Sequence, residues 1–324
     1  MSMQIRKINA DTRTTTNIVA LSALGATDAR AMDVGSNGTL YVADAGRDVV
    51  IKVFASGEID GAIVGHLNTT GNVNADGITV TGNTARLNTP YGLCMDRSGR
   101  IFVGDGSGGW QIRRLSTSGT IAFLAGNYAF SGDAVNTIDG DNDGTKARFK
   151  SAAGGMGMAV DRAGVIYLAD TGNHKIKKIW DSGKCTSMAG ATGGGFANGN
   201  GPSASFSSPA DVAVDNHGNV YVADASNHRI RKVTESGDVF TLAGTGTASF
   251  VNGTGAVATF NSPSRICIDP SNQFLYVMDF NNSAIRKVDM TGNVTTFCHF
   301  NPPATQGDIC VDNSGFLYIL ENNS

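Results

Sequence analysis

The stretch Pro209–Gly244, PADVAVDNHGNVYVADASNHRIRKVTESGDVFTLAG, decides the fold. Asp211–Val214 is a short apolar run that stops at Asp215, and Asn216–Asn219 reads as a turn. Val220–Ala223 then alternates up to Asp224, Ala225–His228 turns again, and Arg229–Val233 follows. Glu235–Gly237 makes a third turn, and Val239–Gly244 closes the unit. Alternating apolar residues punctuated by Gly, Asn, Asp and Ser predict antiparallel strands joined by tight turns. One such four-stranded sheet cannot bury both of its faces alone, so it requires neighbours.

Working outward, the same unit recurs on both sides. GSNGTLYVADAGRDVVIKV starts at Gly35, DRSGRIFVGD at Asp96 and DRAGVIYLADTGNHKIKKI at Asp161. DPSNQFLYVMDFNNSAIRKV follows from Asp269 and DNSGFLYILE from Asp312. The aromatic of each second strand gives the register: Tyr41, Phe102, Tyr167, Tyr221, Tyr276 and Tyr318, spaced by 61, 65, 54, 55 and 42 residues. A four-stranded repeat of about 40–50 residues is the mark of a β-propeller, and the excess length must be loop. The sixth copy breaks off after its second strand, while Gln4–Ile8 matches a third strand and Thr16–Leu21 a fourth. Joining the ends brings Tyr318 round to Tyr41 in 47 residues, in line with the other spacings. The expectation is an all-β, six-bladed β-propeller of four-stranded antiparallel blades, the last closed by N-terminal outer strands and C-terminal inner strands. Its blades fall at about 27–65, 90–126, 155–190, 209–244, 263–300, and 306–324 plus 3–21, in a single domain over 1–324.

The unit GNVYVADASNHRIRKV resembles the NHL repeat, with Asn227-His228-Arg229-Ile230 and Asn173-His174-Lys175-Ile176 at the triplet that names it. The six copies together cover essentially the whole chain. The resemblance implies a protein scaffold, an RNA reader, a receptor ectodomain or, in related groups, an enzyme. Such a range means that function must be argued from the site.

Composition narrows that range. The net charge is −3 with 16% charged residues, which speaks against an electrostatic grip on nucleic acid. The Lys and Arg residues recur mostly in third strands, which also disfavours RNA reading. No apolar run reaches the ~20 residues of a membrane span. Met1–Thr16 lacks an apolar signal core, which points to a cytoplasmic location or a place in a virus particle.

Residues that recur at one slot of several blades maintain the blade, and residues that break the pattern are candidates for a site. Cys94, Cys267 and Cys310 share one inner-strand slot with Ala159 and Ala213, so they read as small buried groups. Asp44, Asp105, Asp170, Asp224 and Asp279, with Glu321, end the second strands and are expected to hold turn amides or third-strand Arg and Lys. Four long connections, Gly65–Pro90, Gly126–Gly155, Gly190–Pro209 and Gly244–Pro263, should emerge beside the second-to-third-strand turns and build a binding face. Phe149, Phe206 and Phe260 recur there and pin the loops, whereas Trp110, Tyr128, Phe130 and Phe280, with Phe196 and Phe250, stand out as stacking groups for a protein or glycan. Asp139, Asp141 and Asp143, with Gly144, resemble the first half of a calcium loop, though Lys150 stands where its bidentate Glu would be. No other cofactor is expected. Asp33, Asp211, Arg265 and Asp308 break the small-residue pattern of the inner strands and should face the central channel. An ion pair of Arg265 with Asp211 or Asp308 that closes the pore is preferred there over catalysis. Three functions stay open: a non-catalytic scaffold binding a protein or glycan, a structural or host-recognising part of a virus particle, and a channel-sited hydrolase or lyase.

Overall fold

The structure, a computed structural model, describes residues 2–21, 28–64, 80–81, 87–106, 110–116, 120–126, 147–150, 156–300 and 307–323. Six antiparallel sheets follow the repeats. Blade 4 runs from its inner strand Pro209–Val214 through Val220–Asp224 and Arg229–Val233 to its outer strand Asp238–Ala243. The inner strands of the others are Ala29–Val34, Gly92–Met95, Met158–Val160, Pro263–Ile268 and Asp308–Val311, in blades 1, 2, 3, 5 and 6. Each inner strand contacts the next, and the last contacts the first, so the ring is complete. In blade 6, Ser2–Asn9 pairs with Phe316–Asn323 over eight residue pairs and carries Thr15–Ala20 outside it. Six apolar clusters hold the ring, each shared by two adjacent blades; one joins Tyr221, Ile230 and Phe260 of blade 4 and its connection to Ile266 and Val277 of blade 5.

The repeat residues have local causes. Asp215 Oδ1 accepts from the amides of His217 (2.8 Å) and Asn219 (2.9 Å), and its Oδ2 accepts from the Tyr221 hydroxyl at 3.2 Å. Asp161 with Tyr167, and Asp312 with Tyr318, repeat the arrangement. This is why an Asp, a Gly turn and a Tyr travel together. The Asp that ends each second strand is buried, and one of its oxygens takes an amide from the connection entering its own blade: Ser207 to Asp224, Asn261 to Asp279 and Asn88 to Asp105. Its other oxygen faces the third-strand Arg, as in Asp224–Arg231 at 2.8 Å and Asp279–Arg286 at 2.7 Å. Donors also come from the turn that follows: the Gly46 amide reaches Asp44 at 3.2 Å, and the side-chain amides of Asn173, Asn227 and Asn282 reach Asp170, Asp224 and Asp279.

Two devices lock blade to blade at the rim. Every described outer strand has a bulge against its third strand, at Ile18, Leu124, Met188 and Leu242 among others. The carbonyl oxygens of these four face Gly57, Gly183, Gly237 and Gly292 of the following blade, where a side chain would collide with the first, second and fourth and crowd the third. All four glycines have positive φ, so Gly serves both the turn and the close approach. The second device is the NHL triplet itself. His174 Nδ1 accepts the amide of Ser208, and His228 Nδ1 that of Ser262, both at 3.0 Å; Asp48 does the same for Thr89 at 2.6 Å. These histidines and Asp48 are staples between consecutive blades.

The long connections depart from the expected loop face. Val80–Thr81 pairs with the start of the blade 2 outer strand, and Gly199–Asn200 with that of blade 4, making both sheets five-stranded. Gly253 bridges Val294 in the same way in blade 5. The fully described connections Gly190–Pro209 and Gly244–Pro263 therefore descend along the outer edge of the next blade, cover its open ladder and climb back.

Candidate functional site

Register fixes which side chains face the channel. Asp211 is opposite Ala223, Arg265 opposite Met278 and Asp308 opposite Leu320, one slot shared around the ring with Ala31. Gly92 and Gly157 complete this upper ring, and both are required by closeness: a side chain on Gly92 would strike the Met156 carbonyl, and one on Gly157 the backbone of Asp211. Two residues deeper lies a second ring, Asp33, Cys94, Ala159, Ala213, Cys267 and Cys310, each opposite the second-strand aromatic. Asp33 thus belongs to the cysteine slot rather than to the level of Asp211. The signal was present in the chain, since Asp33 stands eight residues before Tyr41, as Cys94 does before Phe102.

The two rings enclose a cavity of about 170 Å³ lined by Asp33, Asp211, Arg265 and Asp308, with Tyr91 at its loop-face end. The three carboxylates share one geometry. Asp308 takes the amides of Ile309 (2.9 Å) and, across the blade boundary, Met32 (2.7 Å). Asp33 takes those of Val34 and Met95, both at 2.7 Å, and Asp211 those of Val212 (2.8 Å) and Ile266 (2.9 Å). Each carboxylate therefore ties its own inner strand to the next one and satisfies amides that an inner edge leaves unpaired. Arg265 lies against Asp308, Nε to Oδ1 at 3.3 Å, and donates to the Ser264 carbonyl at 2.9 Å. Burial pushes the Asp33 carboxyl up to about 7, against the pull of its two amide donors. Burial also raises Asp211 and Asp308, with Arg265 opposing it in both cases. The thiols of Cys94, Cys267 and Cys310 are pushed well above their ordinary value, first by burial and then by the nearby carboxylates, so they stay protonated and inert. Among the described residues no three His, Cys, Asp or Glu side chains are placed to hold a metal ion together.

At the mouth, Trp110 occupies the slot that holds His174 and His228 elsewhere, directly before its third strand. Its ring packs 5.6 Å from that of Tyr91, and Arg30 lies 5.4 Å from the other ring, paired to Asp28 at 2.5 Å. Trp110 also bridges Phe149 and is half-buried. Phe280 opens the blade 5 turn and packs partly against the core between blades 5 and 6. Tyr128, Phe130 and the candidate calcium residues Asp139, Asp141 and Asp143 lie outside the described residues. Phe196 and Phe250, which looked exceptional in the sequence, hold equivalent places in two blades. Phe196 lies 4.7 Å from the Arg231 guanidinium, with Phe206 on its other contact at 5.3 Å; Phe250 and Phe260 frame Arg286 at 4.5 and 5.2 Å. They cover the buried arginines that pair with Asp224 and Asp279.

Comparison with known proteins agrees with this architecture. The NHL repeat profile matches residues 206–233, the stretch that carries the Asp224–Arg231 pair and the His228 staple. The chain thus carries an NHL repeat within a six-bladed β-propeller. NHL repeat-containing protein 2 of Bos taurus is 40% identical over 107 residues, 32% of this chain but 15% of that protein. NHL repeat-containing protein 3 of Mus musculus is 25% identical over 272 residues, 81% of this chain and 64% of that one. The chain thus matches only part of these longer relatives. Among solved structures, an auxiliary nutrient binding protein of Bacteroides thetaiotaomicron superposes with TM-score 0.62 at 16% identity, covering 90% of this chain and 64% of that one. A chain of a nidogen/laminin complex does so with TM-score 0.59 at 13% identity, covering 91% and 93%. At such identities these two show a shared fold. NHL-repeat propellers generally serve as binding scaffolds.

Proposed function

We propose that this NHL-repeat propeller is a non-catalytic scaffold that engages a protein or glycan partner at the loop-face mouth of its channel, around Trp110 and Tyr91. The observation that carries the reading is the aromatic residue Trp110 in the slot that holds the staples Asp48, His174 and His228 in blades 1, 3 and 4 and Ser283 in blade 5, next to Tyr91 and Arg30. An indole there gives up the cross-blade hydrogen bond that His174 and His228 make, and it offers an amphipathic ring of the kind that anchors sugars and protein partners. Phe280, on the blade 5 turn across the ring, is proposed as a second aromatic contact, and Tyr128 and Phe130 are proposed to extend the surface beside blade 2. The names of two fold neighbours, a nutrient binding protein and a nidogen/laminin complex, describe binding.

A channel-sited hydrolase or lyase is the second reading, because buried carboxyls with raised pKa values are what acid–base catalysts use. The scaffold reading is preferred because every oxygen of Asp33, Asp211 and Asp308 already receives a backbone amide that holds the ring together. The test is a glycan array and a partner pull-down with Trp110→His, which installs the residue that blades 3 and 4 carry and so preserves the fold. Loss of the bound partner at an unchanged melting temperature supports the mouth. Retained binding by Trp110→His together with loss on Asp211→Ala would move the site into the channel.

A further inference from the structure

The outer edges of the blades differ in how they are closed. In blades 2, 4 and 5 the connection entering the blade pairs with its outer strand, through Val80–Thr81, Gly199–Asn200 and Gly253. Blades 4 and 5 achieve this with residues 190–208 and 244–262 between one outer strand and the next inner strand. Only residues 300–307 lead into blade 6, and 21–28 into blade 1. Crossing from rim to channel covers three strand spacings, about 14 Å, and a link of that length has none to spare for a descent and return. Among the described residues nothing pairs with the outer side of Thr15–Ala20 or of Ile59–Val64.

The two bare edges are not alike. Ile59–Val64 carries Asp60, exposed beside Lys52, Gly61 at φ +99°, and two register shifts against its neighbour. Charge, irregular backbone and bulges are how natural edges refuse a further strand. Thr15–Ala20, TTNIVA, has no charge, no Gly and no Pro, and Thr15, Thr16, Ile18 and Val19 are β-branched. Thr14 to Asn17 are exposed, and Thr15, Thr16 and Asn17 pair with Ile8, Lys7 and Arg6 without a break before the bulge at Ile18. The Asn9 amide donates to the Thr14 carbonyl at 3.0 Å, so Thr14 faces into the ladder. By alternation Thr16 also faces inward, while Thr15 and Asn17 aim their amides and carbonyls at solvent.

We propose that the blade 6 rim is a homodimer interface, in which Thr15–Asn17 pairs antiparallel with the same segment of a second copy. The edge itself selects this occupant. A strand that matches the ladder must be extended, uncharged and rich in β-branched residues, and the segment meets its own requirement. A two-fold axis at Thr16 sets Thr15 of each copy opposite Asn17 of the other, where each pair exchanges both of its hydrogen bonds. The same axis brings the two Thr16 side chains side by side, a favourable cross-strand pair. The contact is isologous, so it closes at two copies and joins the two blades into one continuous sheet. Because that axis stands perpendicular to the sheet, the two channel mouths open in opposite directions.

Sedimentation equilibrium of the whole chain from about 1 μM to about 1 mM is the test, since so small a contact belongs to the weak end of interfaces. The expected result is a reversible monomer–dimer equilibrium within that range. It should not move when salt is raised from about 0.05 M to about 0.5 M, because no charge takes part. Thr15→Pro removes an outward-facing amide, so it should leave the melting temperature unchanged and weaken the dimer about tenfold or more. Thr15→Lys keeps the amide but sets ammonium groups beside the new ladder, so it should weaken the dimer even where the proline variant proves unstable. A chain that stays monomeric at about 1 mM would overturn the proposal and leave this edge to a foreign strand. A dimer that dissociates as salt rises, or one unchanged in both variants, would overturn it too.

Discussion

Replacing Asp33 by Ala should flatten the alkaline loss of stability of this propeller. Asp33 sits in a slot where blades 3 and 4 carry Ala159 and Ala213, so the substitution removes one carboxyl without introducing a residue foreign to the ring. The folded carboxyl is raised from 3.8 to about 7, mainly by burial. Between those values the folded chain keeps a proton that the unfolded chain has released. The stabilisation is therefore complete at acid pH and is lost as pH rises through about 7. Three pKa units correspond to about 4 kcal/mol as an upper bound, and because solvent reaches the half-buried Asp33 along the channel, about 2 kcal/mol is the working figure. With an unfolding entropy of roughly 2 cal/mol/K per residue, that is a shift of about 3 °C in Tm. About two-thirds of that change falls above pH 5, so melting followed by circular dichroism at pH 5 and pH 8 should show an Asp33→Ala variant that drops about 2 °C less than the wild type between the two conditions. Its Tm at pH 5 should lie lower, because the Met95 and Val34 amides lose their acceptor. An unchanged pH difference in the variant would refute the placement of Asp33 as a buried, proton-retaining group.

Other perturbations test the devices between blades. Gly292→Ala should cost about 3 kcal/mol, from its positive φ and its collision with the Leu242 carbonyl, while Gly315→Ala, with positive φ and open space around it, should cost about 1 kcal/mol in the same denaturant titration. Arg231→Met leaves Asp224 buried without its cation and should lose about 3–5 kcal/mol, most of it recovered when Asp224→Asn is added. Burial lowers the pKa of His174, whose neutral Nδ1 holds the Ser208 amide; its contribution is present above the ordinary value of 6.5 and is lost as pH falls below it. His174→Asp, copying Asp48 of blade 1, should remove that acid-side loss between pH 6.5 and 5, as read from Tm.

What could be read in the chain was whatever repeats at a fixed distance. The second-strand aromatics, the Asp residues before and after them and the NHL triplet all recur in register, and they place six sheets of antiparallel strands in the right order. The channel-facing character of Asp33, Asp211, Arg265 and Asp308 followed from breaking that recurrence. The depth of Asp33 was missed because Asp33 was compared with strand starts, when its distance to Tyr41 was the informative measure. The route of the long connections was not legible for a different reason. Their descent depends on pairing between Gly199–Asn200 and Asp238–Val239, a contact between backbones that leaves little mark on side chains. For the same reason the neighbours of Phe196 and Phe250 could not be read from the chain: Arg231 and Arg286 come near only after the connection has folded down beside the blade.

The pairing in blade 6 also sets how this molecule responds to force. Ser2 lies opposite Asn323, with the two strands running antiparallel, so the chain enters and leaves the ring at the same end of one ladder. A load applied through the two ends meets those eight pairs one at a time instead of shearing them together. Peeling would begin at Ser2 and Asn323 and advance to the Arg6–Glu321 ion pair, the first charged lock along the seam. The ring held by six shared cores would therefore open under tension as a zipper, along the ladder between Ser2–Asn9 and Phe316–Asn323.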